Sequence, residues 1–202
     1  MTRILLVRHA ENNYTKTGKL AGWIKGVHLN KVGRLQATTL ADNLATYPIK
    51  YVYSSPLVRA LETARPIASA KDLNVLKCTQ IGEVRYGQWQ GKSLRVLRQR
   101  KLWNQIQNVP SLTSFPDGES IRHAQSRAVG AVETIVIRHP KSCVALVSHS
   151  DVIKMILAHY MGLALDLYQR IVIDTASISE LYIAHDVVKV IRMNQTTEAF
   201  VK

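Results

Sequence analysis

Acidic residues are scarce in this chain. Against 27 Lys and Arg stand 14 Asp and Glu, a formal net charge of +13, and between Glu83 and Asp117 there is no acid at all. Such an excess suits nucleic acid, an anionic membrane surface or small polyanionic substrates. Aromatic residues are also few, at 6%, and the basic residues follow no zinc-finger spacing, aromatic-rich RNA-binding motif or recognition helix. Nucleic acid is therefore disfavoured as the partner. Cysteine is nearly absent: Cys78 and Cys143 lie in strand-like runs and are expected to be buried thiols, not a disulfide or half a metal site. No apolar run approaches a membrane span, and the one after Met1-Thr2-Arg3 is too short for a signal sequence. The expectation is a cytoplasmic protein. No stretch is rich enough in Pro, Gly or Ser to be a linker, so residues 1–202 are expected to form one domain with a substantial core.

The pattern that is present alternates strands with helices. Thr2 to Val7 is a near-continuous apolar run, as a sheet covered on both faces requires. Residues Glu11 to Lys31 lack periodicity and predict a long loop, of the kind that is usually functional. Val32, Leu35, Leu40 and Leu44 predict a helix stopped by Tyr47-Pro48. Ile49 to Ser54 predicts a second strand, and Ser54-Ser55-Pro56-Leu57 a serine-capped helix start with Arg59 in the first turn. Asn74 to Thr79 predicts a third strand. Leu94, Leu97, Leu102 and Ile106 suggest a helix with a basic outer face. Ile121 to His139 predicts a long helix, Cys143 to Val147 a strand, Asp151 to Met161 a helix, and Ile178 to Ala184 with Val187 to Met193 two final strands. The polar tail after them is expected to fray. The fold class is α/β, a three-layer sandwich with a mainly parallel sheet.

Two of these strands end in unusual company, Arg8-His9 and Ser148-His149. A buried charge without a partner is costly in a strand interior, but ligands of parallel sheets bind beyond the carboxyl ends of the strands. Arg59 follows the end of another strand, in a first turn where a cation is disfavoured unless an anion is present. Two arginines can grip phosphate oxygens in bidentate fashion. A neutral imidazole is available near pH 7 to attack phosphorus, and a second histidine, cationic beside a phosphate dianion, adds charge stabilisation.

Five segments in order then resemble the histidine phosphatase superfamily, also called phosphoglycerate mutase-like. They are Leu6-Val7-Arg8-His9-Ala10-Glu11; Leu20-Ala21-Gly22-Trp23 with Leu29, Gly33 and Gln36-Ala37; Ser54 to Ala60 through Thr63-Ala64; Glu83 with Gly87, Trp89 and Gly91; and Ser148-His149-Ser150. The resemblance implies that His9 becomes phosphorylated and that Arg8, Arg59 and His149 bind the phosphoryl group. It implies that Glu83 protonates the leaving oxygen and later deprotonates water, with no metal or organic cofactor. Ala10 and Ser150 stand where the family has glycine, which a backbone at negative φ tolerates. Thr15 aligns with an asparagine that touches phosphate in the family; its hydroxyl can still donate, and Asn13 is the alternative. Thr15 and Ser150 are thus candidate phosphate ligands.

The expected activity is hydrolysis of a small phosphorylated metabolite through a phosphohistidine. A cofactor-dependent mutase is the first alternative, disfavoured by the compact segments after Glu83-x-x-x-Gly87 and at the C-terminus. An inactive basic binding domain is the second, opposed by the intact set of site residues. The basic segment Arg85 to Lys101 is either a solvated face or an entrance for substrates with a second anionic group. His28, His123, His139, His159 and His185 match no motif, and Trp23, Trp89 and Trp103 read as packing or pocket-wall residues. Nothing in the residues specifies an oligomeric state or names the substrate.

Overall fold

The computed structural model describes residues 1–196, and the tail expected to fray runs beyond them. Six strands, β1 (Thr2–Arg8), β2 (Ile49–Ser54), β3 (Val75–Lys77), β4 (Cys143–Ser148), β5 (Ile178–Ile183) and β6 (Val188–Gln195), form one sheet in the order β3-β2-β4-β1-β5-β6. The four from β3 to β1 pair in parallel, and β5 and β6 add antiparallel pairings at the other side. Period-two alternation divides each central strand between two cores. Ile4 and Leu6 of β1 face one, Leu5 and Val7 the other. Helices α2 (Lys31–Asn43) and α3 (Val58–Ser69) close the side of Leu5 and Val7. On the opposite side α6 (Ile121–Arg138) and α7 (Ser150–Tyr160) close the other. Each such buried Leu, Ile or Val contributes about 1.5–3 kcal/mol, enough to anchor charged residues at the sheet's rim.

Neighbouring β1 and β4 send their following helices to opposite faces, since β1 leads to α2 and β4 to α7. Such a reversal opens a crevice beyond the strand ends. Arg8 pairs in register with Ser148, and His9 N–H continues the ladder to Ser148 O at 2.9 Å. The two strand exits that carry histidine are therefore side by side.

Local departures from the sequence pattern have identifiable causes. Residues 11–31 contain a one-turn helix, α1 (Asn13–Lys16), capped by Asn12. Helix α3 starts at Val58 with no side-chain cap, because Leu57 occupies the cap position; the Ser55 hydroxyl, two residues earlier, accepts from Leu57 N–H at 3.3 Å and engages His149, and Arg59 still falls in the first turn. Strand β3 is cut to three residues by a 3-10 turn at Thr79–Ile81. The basic helix is two pieces, α4 (Leu94–Leu97) and α5 (Lys101–Asn108), separated where Arg100 becomes extended.

Candidate active site

His9 leaves β1 fully inside the molecule, at 3% exposure. Its Nδ1 lies 2.8 Å from Ala10 O, an acceptor only, so the proton sits on Nδ1. Nε2 is then unprotonated, and its lone pair accepts from Arg59 Nε at 3.3 Å. Burial first, and the positive charges of Arg59 and Arg8 next, hold His9 well below the ordinary histidine value. The ring is neutral, as a nucleophile must be.

Arg59 is 1% exposed and organises the site. One Nη2 donates to Gly22 O at 2.9 Å and lies 3.2 Å from His149 Nδ1. That contact makes Nδ1 an acceptor, so His149 carries its proton on Nε2 and gives it to Ser55 Oγ at 2.8 Å. His149 is also pushed well down, chiefly by burial and then by Arg59. The expected cationic histidine is therefore neutral in this arrangement. Its ring stands 5.1 Å from that of His9, behind the cavity wall.

Arg8 donates from Nη1 to Ile173 O at 2.6 Å, while its buried Nε has no partner among the described residues. Glu83 accepts from Val84 N–H at 2.9 Å through Oε1; Oε2 lies 3.7 Å from His149 Nδ1 and 4.0 Å from Arg59 Nη2. Burial, reinforced by the negative charge of Asp151, pushes this carboxyl up to about 7 against the pull of Arg59. Near neutrality it can both give and take a proton.

A cavity of about 360 Å³ opens onto these groups; Arg8, His9, Thr15, Arg59, Glu83 and Ser150 all line it. Ser150 begins α7 and donates to Ile173 O at 3.3 Å. Neither Ala10 nor Ser150 adopts positive φ, so the two replacements of glycine are unstrained. Thr15 lines the cavity with its hydroxyl in a capping box, donating to Asn12 O at 2.9 Å and accepting from Asn12 N–H at 3.0 Å. Asn13 is exposed and outside the wall. The basic segment is displaced as well: none of Arg85, Lys92, Arg95, Arg98, Arg100 and Lys101 lines the cavity. Arg85 stacks on Trp23 at 4.2 Å, while Arg95 and Arg98 line an adjoining groove with Lys19. Of the five unmatched histidines, His139 illustrates the structural role, bonding Tyr53 OH at 2.8 Å far from the site. Among the described residues no three His, Cys, Asp or Glu side chains gather as a metal site.

Several contributors escape a reading of motifs. The Glu83 carbonyl receives Trp23 Nε1 at 2.6 Å and Arg127 Nη2 at 3.0 Å. Arg127 is fixed in turn by two bonds to Glu119, at 2.6 and 3.0 Å, and Glu119 accepts from Arg85 N–H at 2.9 Å. The turns they join meet through glycine, since a Cβ on Gly118 would lie 2.1 Å from Arg85 O. Across the cavity, Asp151 accepts from Tyr86 OH at 2.8 Å and lies 3.5 Å from Lys154 Nζ. Trp89, Trp103 and Phe115 supply an aromatic wall.

Residues 4–196 match the family model described as histidine phosphatase superfamily, branch 1. The chain belongs to the histidine phosphatase superfamily. It is a phosphomonoester phosphatase, and a phosphohistidine mechanism is general to that superfamily. The chain is 29% identical to phosphoserine phosphatase 1 of Hydrogenobacter thermophilus over 97% of its own length and 93% of the relative's. YhfR of Bacillus stearothermophilus superposes with a TM-score of 0.90 at 26% identity, covering 98% of each chain. A mycobacterial glucosyl-3-phosphoglycerate phosphatase, solved with VO3, superposes with a TM-score of 0.87 at 22% identity over 96% of this histidine phosphatase and 99% of that one. Among the described residues no helix is long and apolar enough to cross a membrane.

Proposed function

We propose that His9 is the nucleophile and Glu83 the acid and base of a two-step hydrolysis of small phosphate monoesters. The observation that carries the reading is the unprotonated Nε2 of a neutral His9, held by Arg59 in a cavity shared with a carboxyl near 7. In the first step Nε2 attacks phosphorus, the bond from phosphorus to the ester oxygen breaks, and Glu83 gives its proton to the departing alcohol. In the second, Glu83 takes a proton from water, the water oxygen bonds to phosphorus, and the nitrogen–phosphorus bond breaks to free phosphate. Arg8 and Arg59 hold the equatorial oxygens as charge shifts between them. His149 keeps Arg59 in position by accepting from it at Nδ1.

Two charged residues of the cavity lining point to the class of alcohol. Asp151 and Lys154 face the cavity only loosely paired, at 3.5 Å. A phosphorylated hydroxy amino acid, with its ammonium and carboxylate, complements that pair, in keeping with the phosphoserine phosphatase among the relatives. The natural setting on this reading is the cytoplasm, where the free thiols Cys78 and Cys143 would stay reduced.

The mechanism is tested by acid quench with labelled substrate. Wild type should yield acid-labile phosphate bound to protein and His9→Ala none, with phosphate released without any bisphosphorylated activator. Label on His9→Ala would sink the assignment. The substrate class is tested by comparing O-phosphoserine, 3-phosphoglycerate and an aryl phosphate: Lys154→Gln should raise KM for the first two only.

A further inference from the structure

Of the buried side-chain atoms without a hydrogen-bond partner among the described residues, two are nitrogens, Arg8 Nε and Asn12 Nδ2. Both side chains line the catalytic cavity. Arg8 belongs to the phosphate grip already described; Asn12 belongs to none of the five segments that carry the family resemblance. Native proteins seldom leave a buried donor unpaired, and an exception calls for a ligand or another specific cause.

The rest of Asn12 is fully committed. It is 0% exposed. Its Oδ1 accepts from Tyr14 N–H at 2.8 Å and Thr15 N–H at 3.0 Å, which identifies the oxygen and fixes the amide plane. Its backbone N–H and carbonyl are both engaged by the Thr15 hydroxyl. Only Nδ2 is left, rigidly held. We infer that Asn12 Nδ2 donates a hydrogen bond to an oxygen of the bound phosphoryl group, a ligand to be added to Arg8 and Arg59. The inference rests on the phosphatase reading above. It also accounts for Thr15, whose hydroxyl closes the cap and so aims Asn12. A neutral donor adds directional grip without adding another buried charge to the site.

The experiment titrates orthovanadate, and separately inorganic phosphate, into wild type, Asn12→Ser, Asn12→Asp and Arg59→Gln by calorimetry, with melting temperatures measured alongside. Serine and aspartate both keep an oxygen for the cap, and both delete the amide donor, serine without adding charge. Asn12→Ser should melt within a few degrees of wild type yet bind vanadate roughly ten- to a hundredfold more weakly; Asn12→Asp should bind more weakly still. Wild-type affinity in a stably folded Asn12→Ser overturns the inference. If Asn12→Ser unfolds, wild-type affinity in Asn12→Asp overturns it instead. Arg59→Gln separates the two readings: weakened binding there with none in the Asn12 variants removes Asn12 alone, and wild-type binding in all three removes the phosphate site itself.

Discussion

Replacing Glu83 by glutamine separates two consequences of burying that carboxyl. The side chain keeps its shape and can still accept from Val84 N–H, but it no longer ionises. In the native protein the group is pushed from an ordinary 4.5 up to about 7. The folded state therefore binds this proton more tightly than the unfolded state does, and the stability it contributes is lost as pH rises through 7. Working the two titrations between pH 5 and pH 8 gives a loss of about 2–3 kcal/mol from this one group. Denaturant melts of both proteins at the two pH values should show Glu83→Gln gaining on wild type by about that amount at pH 8 relative to pH 5. Taking the difference between the proteins cancels the titration of His9 and His149, which they share. The same variant should lose about 10²–10⁴ in kcat on an alkyl phosphate. An aryl phosphate, whose leaving oxygen needs no proton, should still load the enzyme and leave acid-labile phosphate trapped, because water activation requires the same carboxyl. A pH-independent stability difference together with undiminished alkyl phosphatase activity would refute the account of Glu83.

Asp151→Asn removes a negative charge that helps hold the proton on Glu83, so the alkaline fall of kcat/KM should move to lower pH. On an alkyl phosphate without an ammonium group, a displacement of one pH unit means about a fivefold loss at pH 7 and little change below pH 5, whereas coincident profiles would show that Asp151 does not tune Glu83. Arg127→Met strips the strut from Glu119 and the Glu83 carbonyl; stability should fall by about 3 kcal/mol, and in the folded fraction kcat should drop with KM nearly unchanged. Ser55→Ala leaves His149 Nε2 without its acceptor and should cost about 1–3 kcal/mol of stability, checked by thermal melts, with Ser55→Thr restoring part of it. The double change Arg95→Gln with Arg98→Gln alters the groove beside the cavity. It should leave small monoesters untouched and lower kcat/KM severalfold only for substrates with a second, distant anion; equal values for both would exclude the groove from binding.

What the sequence made legible was the rim of the sheet. Arg8, His9 and His149 interrupt apolar runs where no strand tolerates them, and Arg59 sits where a helix start disfavours a cation, so each announces itself against a simple background. The contributors that escaped act through a single atom or a distant strut. Asn12 looks like any loop asparagine until its oxygen and backbone are seen to be occupied. Arg127 lies 44 residues from Glu83 on a helix whose periodicity explains it without reference to the site. Ser55 satisfies the pattern of a helix cap, and only the neighbouring exit of β4 reveals that its hydroxyl goes to His149. Thr15 shows the converse: its alignment suggested a ligand, and only the structure shows that its hydroxyl also closes a local capping box.

These particulars share one cause. Desolvation disfavours whichever form of a group is charged, and in this crevice it is the leading influence on His9, His149 and Glu83 alike. It moves the imidazoles down, so that His9 offers a lone pair, and the carboxyl up, so that Glu83 holds a proton at neutral pH. The arginines feel the same influence, but a guanidinium starts so high that it stays a cation. Burying three kinds of group together thus yields nucleophile, acid and anion grip without a separate device for each. The apolar residues of β1 and β4, which the sequence displays as plain core, are in this sense part of the chemistry. A polar residue at Leu6 or Leu146 that admitted water beneath the site would weaken all three functions at once, although neither side chain touches the substrate.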